Sequence, residues 1–335
     1  MEKGSEIMAN GTPINEFDRE KEFYNAKNKI KWIEEVYPQK EVRRYFINSV
    51  FGKIATYERE LDREICNFSK EEVTAVLCGL HSTSVDYLHN VVSFLHQYTN
   101  WCLAEKLVSD NQNHFLDFSY DDYVNIVGKN VIKNGILTRE TLNGFVKSRY
   151  LQNLTDLAAI YLIFEGVSGS RYADLLNLRF TDIDYKKKVC WTVSGKTISL
   201  SDDCLNVLKE ASKEEEYILP TGRKMPYLDD YVVRSFRKDQ ADRTNRDVVL
   251  LIDILRRRVA KCLAQYEIEN VTLSNIKDSG KIEFIRKNAE KKGMEVSEFI
   301  TTKKCRDMIV QQYGGNTNSW SAKKFYTKYK EYLEE

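Results

Sequence analysis

The residue types best suited to chemistry stand together near the middle of the chain, where Gly169, Arg171 and Asp174 open a segment that continues as Leu-Leu-Asn-Leu. Gly169 permits a tight backbone turn, and the apolar residues after it predict a helix that begins near Arg171. A helix start presents free N–H groups and the positive end of the helix dipole. With the forked cation of Arg171 added, this arrangement suits a phosphate. A surface arginine at an ordinary helix start is the alternative that the motif alone leaves open.

Composition places these residues in a two-domain, mainly α-helical protein. The chain has 335 residues, of which only 4 are proline and 15 glycine, and 30% are charged. This length is enough for two domains with separate cores, and the composition is typical of a soluble helical protein. No apolar run of about 18 residues occurs, and the first residues lack a basic-then-apolar signal, so we expect a cytoplasmic protein with no membrane contact.

The seven cysteines are scattered and include no C-x-x-C pair. This pattern indicates reduced thiols and predicts neither disulfides nor a zinc site, so we expect no metal and no cofactor. Charge is distributed unevenly: residues 1–130 carry 15 Lys and Arg against 21 Asp and Glu, whereas residues 131–335 carry 36 against 29. The second part is therefore the better candidate for contact with phosphates.

Periodicity divides the chain into a helical block, a connection and a second block. Within the first block, eight residues recur at three- and four-residue steps and predict one helix face: Tyr87, Leu88, Val91, Val92, Leu95, Tyr98, Thr99 and Cys102. Ser69 and Glu72 have the spacing of a capping box, and Ser82, Thr83 and Ser84 interrupt the chain and cap the next helix. The periodicity then lapses, which predicts domains at 1–118 and 136–335 with a linker at 119–135.

The second block predicts a β-hairpin downstream of Arg171. Residues 189–193 and 196–200 alternate in β-forming side chains around Ser194 and Gly195, so we expect two strands joined by a two-residue turn. Lys196 begins the second strand. As an alternative to a functional role, it is an exposed hairpin lysine.

These motifs resemble those of the tyrosine recombinases, the phage integrase family. Residues 169–184 resemble its first active-site box, residues 68–101 resemble its core-binding domain, and Leu137-Thr138 with Glu140 and Leu142 resembles the start of its catalytic domain. The resemblance implies a mainly α fold. It consists of an N-terminal helical, SAM-like core-binding domain that forms half of a clamp around DNA, and an α-rich catalytic-type domain with a small β-hairpin. It also places Lys196 where the family carries a catalytic lysine.

The C-terminal boxes depart from the family pattern. Its second box reads H-x-x-R, and Ser274 and Lys277 stand at these places; Gly315 stands where a further histidine belongs. Tyr326 lies in a segment that resembles the one carrying the nucleophilic tyrosine, although a helix-packing aromatic is equally consistent with it. All four histidines lie at or before His114. Lysine cannot reproduce the two-pronged grip of arginine on a phosphate, and the loss of one transition-state donor lowers a rate about 10²–10³-fold.

We therefore expect a DNA-binding protein with an integrase fold and a degenerate active site, resembling the lysogeny repressors of SPbeta-like temperate phages. No catalytic residue is expected, and Arg171, Lys196, Lys277 and Tyr326 are vestigial candidates. An active, divergent site-specific recombinase that cuts DNA through Tyr326 is the alternative, and a protein-interaction module is a third. Expected partners are double-stranded operator DNA, a second copy of the chain on DNA, and a regulatory protein or peptide.

The predicted DNA contacts come from both blocks. They are Ser82, Thr83, Ser84, Arg171, Arg179, Lys196, Lys277, Lys323 and Lys324. Three basic runs, at 234–238, 256–258 and 303–306, are further candidates for a surface that follows the phosphate backbone, although each is also consistent with a solvated helix face.

Overall fold

A computed structural model describes residues 19–38, 41–109, 111–147, 153–219, 221–236, 248–268 and 271–334. The described chain is mainly α-helical with two small antiparallel sheets, which confirms the predicted fold class. It forms two compact units, residues 1–129 and 130–335. No described helix is both long and apolar enough to cross a membrane.

The first unit is built from helices. They are α1 (Arg19–Glu22), α2 (Ala26–Val36), α3 (Glu41–Leu61), α4 (Lys70–Gly79), α5 (Val85–Ala104) and α6 (Tyr120–Val127). Helix α5 buries seven of the eight residues predicted to share a face, and Tyr87 is half-buried. Both predicted caps are present: Ser69 and Glu72 form a capping box at α4, and the Ser84 hydroxyl accepts from the Tyr87 N–H at α5.

The core of the first unit is aromatic and encloses an ion pair. The Trp32 ring packs against Phe94 and Tyr98 with centroids 5.1 and 5.3 Å apart. Beside these rings, the buried Lys29 ammonium donates to Glu58 at 2.9 Å. A buried charge is stable only when paired and hydrogen-bonded, so this pair fixes α2 against α3.

The segment predicted as a linker, 119–135, contains ordered helices. Ser119 and Asp122 form a capping box at the start of α6, and α6 buries Tyr123, Val124 and Val127. Helix α7 (Lys129–Asn134) follows at once. Each helix shows too few turns for its periodicity to stand out in the sequence, which is why this stretch is predicted to be irregular.

The second unit surrounds one buried helix that is apolar on most of its surface. Its remaining helices are α8 (Arg139–Lys147), α9 (Leu154–Phe164), α10 (Ala173–Leu176), α11 (Asp202–Ala211), α12 (Val248–Ala264), α13 (Leu273–Lys292), α14 (Val296–Thr301), α15 (Lys303–Tyr313) and α16 (Ser319–Glu334). Helix α9 is buried from Thr155 to Phe164, with α11, α12 and α13 packed around it. A helix that is apolar on most sides belongs at the centre of a core.

Two antiparallel sheets lie in the second unit. One contains β1 (Ile183–Asp184), β2 (Val189–Trp191) and β3 (Thr197–Ser199), and the other contains β4 (Glu216–Ile218) and β5 (Lys224–Pro226). The predicted hairpin is β2–β3, with Cys190 opposite Ile198. Its turn is longer than predicted: the Gly195 N–H donates to the Thr192 carbonyl at 2.9 Å, and Gly195 has a φ of 79°. The prediction of a two-residue turn is therefore wrong, because Gly195 ends a three-residue loop.

Helices α9 and α13 approach each other at a glycine. A Cβ atom on Gly280 would lie 1.7 Å from the Phe164 carbonyl oxygen. Only a residue without a side chain permits this approach. Because Gly280 lies one helical turn after Lys277, the same contact fixes the position of Lys277 along α9.

Candidate phosphate-binding site

Arg171 lies in a loop between α9 and α10, and its side chain is exposed. Arg171 and Tyr172 both have left-handed backbone conformations, with φ values of 49° and 59°. Helix α10 begins only at Ala173 and has four residues. The predicted helix start at Arg171 is therefore wrong, and the helix is too short to serve as a dipole site. The exposed cation of Arg171 is the part of the predicted phosphate motif that this loop retains.

Asp174 joins this loop to the β2–β3 hairpin. Its buried carboxylate accepts from the Ser194 backbone N–H at 3.1 Å and from the Ser194 hydroxyl at 2.9 Å. Gly169 passes directly over it, because a Cβ on Gly169 would lie 2.7 Å from that carboxylate. Sequence reasoning assigned Asp174 no role. The only hint in the sequence was the position of Asp174 three residues after Arg171. Its partner, Ser194, lies 20 residues further along the chain.

Lys196 follows the hairpin turn and lies beside the loop after α15. A Cβ on Gly314 would lie 3.2 Å from the Lys196 ammonium. Gln312 holds the two elements together: its amide nitrogen donates to the carbonyls of Ser199 and Glu165 at 2.8 and 2.7 Å, and its oxygen accepts from the Ser199 N–H at 3.2 Å. Gln312 is a second residue that sequence reasoning missed.

Lys277 lies on α13 within electrostatic reach of Lys196. Burial lowers the pKa of Lys277 first; the nearby Asp278 carboxylate opposes this shift, and the Lys196 ammonium adds to it. On the same helix, Ser274 hydrogen-bonds the Tyr172 hydroxyl, whose pKa burial raises. The structure thus brings Lys196 and Lys277 together and ties the loop of Arg171 to the helix of Lys277. The two lysines and the loop of Arg171 make this the candidate site for a phosphate.

Tyr326 has a different environment from that of an activated nucleophile. Its hydroxyl donates to the Glu334 carboxylate within α16, and this hydrogen bond raises the pKa of Tyr326 to about 12. A raised pKa makes the phenolate, the attacking form, harder to reach. The tyrosine that reaches α13 is Tyr329, which is buried and donates to Asp278 at 2.6 Å.

Several other predicted DNA contacts are engaged within the protein. The Arg179 guanidinium pairs with Asp230 at 2.8 and 3.0 Å and with the Tyr231 hydroxyl at 2.9 Å. The Lys324 ammonium lies 3.5 Å from the Trp320 ring centroid, whereas Lys323 is exposed. Both Arg179 and Lys324 therefore need to exchange these partners to reach DNA.

The basic run at 256–258 was predicted to lie on a surface that follows the phosphate backbone, and for Arg258 this prediction is wrong. Arg258 is buried, and its Nε donates to Asp156 at 2.6 Å, so it supports the core and does not face DNA. Arg256 is exposed and pairs with Asp253 at 3.0 Å. In the run at 234–238, Arg234 is bonded to the Ser212 and Glu214 carbonyls, while Arg237 and Lys238 lie outside the described residues.

The three polar residues before α5 belong to the first unit. Thr83 is exposed, whereas the Ser84 hydroxyl caps α5. The Ser82 hydroxyl accepts from the Ser84 N–H at 3.0 Å. Thr83 is thus the one of the three whose side chain has no role in this turn. Among the described residues, no group of three or more His, Cys, Asp or Glu side chains is placed to hold a metal ion.

A helical first unit and an α-rich second unit with a small sheet, together with the two family matches that follow, define an integrase-like protein. Residues 23–104 match the family described as "MrpR, N-terminal core-binding domain", and residues 136–335 match "MrpR, C-terminal catalytic domain". Because the second match covers more than half of the chain, the chain belongs to the MrpR family.

One curated relative is the "SPbeta prophage-derived uncharacterized protein YopR" of Bacillus subtilis strain 168, which is 24% identical over 202 residues. The match covers 56% of this chain, and the chain spans 61% of the length of that relative.

Solved structures with similar chains include a lambda integrase fragment in a dimer bound to a core site. It is 14% identical with a TM-score of 0.46, covering 90% of this chain and 95% of the fragment. A Tn1549 transposon integrase with transposon right-end DNA is also 14% identical with a TM-score of 0.46, covering 90% and 93%. The XerA recombinase is 11% identical with a TM-score of 0.39, covering 90% and 93%. Similarity of this degree says nothing about activity.

Proposed function

We propose that this chain is a sequence-specific DNA-binding protein that represses transcription in a temperate phage or prophage and does not cleave DNA. The observation that carries this proposal is the composition of the phosphate site. Arg171, Lys196 and Lys277 supply positive charge for binding a phosphate, while both histidine places of the family pattern hold other residues and the Tyr326 hydroxyl is hydrogen-bonded to Glu334. The prophage origin in the name of the YopR relative supports a role in lysogeny.

Binding and catalysis place different demands on these residues. Ground-state binding of a phosphate needs only cations and hydrogen-bond donors. Strand cleavage also needs charge matched to the transition state, a general acid and a reactive nucleophile. Here Ser274 and Gly315 stand at the histidine places, and the hydrogen bond to Glu334 raises the pKa of the Tyr326 phenol to about 12. The site therefore suits binding.

The second candidate is an active, divergent recombinase that cuts DNA through Tyr326. It is favoured by the retention of Arg171 and Lys196, and by the partial exposure of Tyr326 on the last described helix. For the repressor, we propose operator DNA as the target, assembly of further copies on DNA, control by a regulatory protein or peptide, and action on the nucleoid in the host cytoplasm.

Binding to DNA from the element that encodes this chain is expected to depend steeply on salt. Each neutralised phosphate releases counterions, and the logarithm of the affinity falls with the logarithm of salt concentration by about 0.9 per contact. An anisotropy titration at several salt concentrations measures the slope. With the three cations of the site alone, we expect this slope to be about −2.5 or steeper. Affinity that does not change with salt would contradict a phosphate-contacting surface.

Arg171→Ala is expected to weaken DNA binding by about 1–3 kcal/mol and to reduce the salt slope by about 1, because it removes one charged contact. Arg223→Ala is the matched control, since Arg223 is an exposed arginine beside the turn between β4 and β5. The control is expected to bind within twofold of the unchanged protein. Equal losses in both variants would remove Arg171 from the interface.

A nicked suicide substrate separates the two candidates, because it traps any phosphotyrosine link. We expect no covalent protein–DNA band, and we expect Tyr326→Phe to bind DNA and repress as well as the unchanged chain. A recombinase of known activity on its own nicked site serves as the positive control. A covalent band that disappears in Tyr326→Phe would establish the recombinase and exclude the proposed function.

A further inference from the structure

A cavity of about 230 Å³ lies between four helices of the second unit, on the far side of the loop that contacts Lys196. Its apolar wall consists of Ile285, Ile300, Ile309, Val310 and Phe325. Helices α13, α14, α15 and α16 each contribute to it. The volume is below the roughly 300–1,000 Å³ of sites for drug-sized ligands, so the cavity suits a smaller molecule.

One wall of the cavity is positively charged. Lys281 lines it, with its ammonium 3.9 Å from the Phe325 ring centroid. Among the described residues, the Lys281 ammonium forms this ring contact but no ion pair within 4 Å. Arg306 also lines the cavity, and its guanidinium is held by the Thr317 carbonyl at 2.8 Å.

The charges around Lys281 are unbalanced. Lys277, Lys281 and Lys328 all lie within electrostatic reach of a single carboxylate, Asp278. That carboxylate already accepts from Tyr329 at 2.6 Å and lies 3.5 Å from Lys328. Burial lowers the pKa of Lys281, and Asp278 only partly opposes this effect. A second anion beside Lys281 would stabilise its charged form.

We infer that this cavity binds a small carboxylic acid with an aliphatic or aromatic body. The carboxylate pairs with Lys281, and the body packs against the isoleucines and Phe325. Neutral molecules of the same shape lack the ion pair, and short acids such as acetate lack the apolar contact. A binding site of this kind combines an apolar wall with one or two polar groups that fix orientation.

The same loop connects this cavity to the phosphate site. Gly314 and Gly315 line the cavity, and Gly314 also lies against the Lys196 ammonium. A ligand that displaces this loop toward Lys196 weakens the phosphate site. We therefore expect the ligand to lower DNA affinity about threefold or more. When two sites are coupled, a ligand at one typically changes the affinity of the other by about 5–150-fold. This consequence rests on the proposed function, whereas the cavity's occupancy does not.

The test is calorimetric titration of the full chain with hexanoate, beside hexanol and acetate. We expect saturable binding of hexanoate and at least about tenfold weaker binding of the other two, since hexanol lacks the charged hydrogen bond and acetate lacks the apolar contact. Lys281→Met, which keeps the stem but removes the charge, is expected to lose at least about tenfold. Ala322→Leu, which fills the cavity, is expected to lose binding as well.

Lys287→Met is the matched control, because Lys287 lies on the exposed side of the same helix and pairs with Glu283 at 2.7 Å. It is expected to bind hexanoate as the unchanged chain does. No saturable binding below about 10 mM, or equal binding by Lys281→Met in a variant that melts normally, overturns the inference. Calorimetry decides this whether or not the chain binds DNA. Unchanged DNA affinity at saturating hexanoate would overturn the coupling alone.

Discussion

Gly280→Ala is expected to destabilise the second unit by about 3 kcal/mol, at the upper end of the range for an overpacked core. The added Cβ would lie 1.7 Å from the Phe164 carbonyl oxygen, and this neighbour is backbone, which cannot rotate away. Helices α9 and α13 must therefore separate. Because Lys277 lies on α13, DNA affinity is expected to fall as well. Thermal melting of the full chain, together with the anisotropy titration, measures both effects.

Gly144→Ala is the matched control for this prediction. Gly144 is also a helical glycine of the second unit, and a Cβ there meets nothing within 4 Å. Alanine is favoured over glycine in a helix by about 1 kcal/mol, so this variant is expected to melt at the same temperature or higher. If Gly280→Ala melts like Gly144→Ala, the two helices do not approach at Gly280 as described.

Arg258→Met is expected to cost about 3–5 kcal/mol of stability, the range for breaking a buried ion pair by removing one partner. Arg258 donates to Asp156 at 2.6 Å and to the Arg234 carbonyl at 2.7 Å. Its loss leaves the buried Asp156 carboxylate with the Tyr217 hydroxyl, 2.9 Å away, as its remaining side-chain donor. Chemical denaturation followed by circular dichroism measures the effect.

Arg256→Met tests the same charge change two residues away. Arg256 is exposed and pairs with Asp253, and such a surface pair contributes about 0–1 kcal/mol. The stability of Arg256→Met is therefore expected to stay close to that of the unchanged chain. The double variant Asp156→Leu with Arg258→Met is expected to recover part of the loss, since apolar packing often replaces a buried pair without penalty. Equal stability of Arg256→Met and Arg258→Met would contradict the buried position of Arg258.

Local signals predicted the caps of α4 and α5 and the buried face of α5. The spacing of Ser69 and Glu72 and the periodic face of α5 depend on residues within a few turns, so the sequence contains the whole of each pattern. The same holds for the β2–β3 hairpin, apart from the length of its turn. Fold class followed from these elements and from the family motifs.

Features fixed by distant partners were not predictable in this way. Nothing local distinguishes Arg258 from Arg256, because the burial of Arg258 depends on Asp156, which lies 102 residues earlier. The conformation at Arg171 depends on the contact of Asp174 with Ser194 in another element. Gln312 connects α15 to β3 across 113 residues. In each case a tertiary contact determines the position of the residue, and sequence spacing does not encode it.

The left-handed backbone at Arg171 and Tyr172 predicts which variants a selection experiment would enrich. Two successive side-chain-bearing residues in the left-handed region are strained by about 1–2 kcal/mol each, and glycine would relieve this strain. A library of variants screened only for heat resistance would therefore enrich Arg171→Gly, although it removes the phosphate ligand. A library screened for repression would retain arginine. On the proposed function, the difference between the two enriched populations measures the folding stability that is exchanged for a cation at the candidate phosphate site.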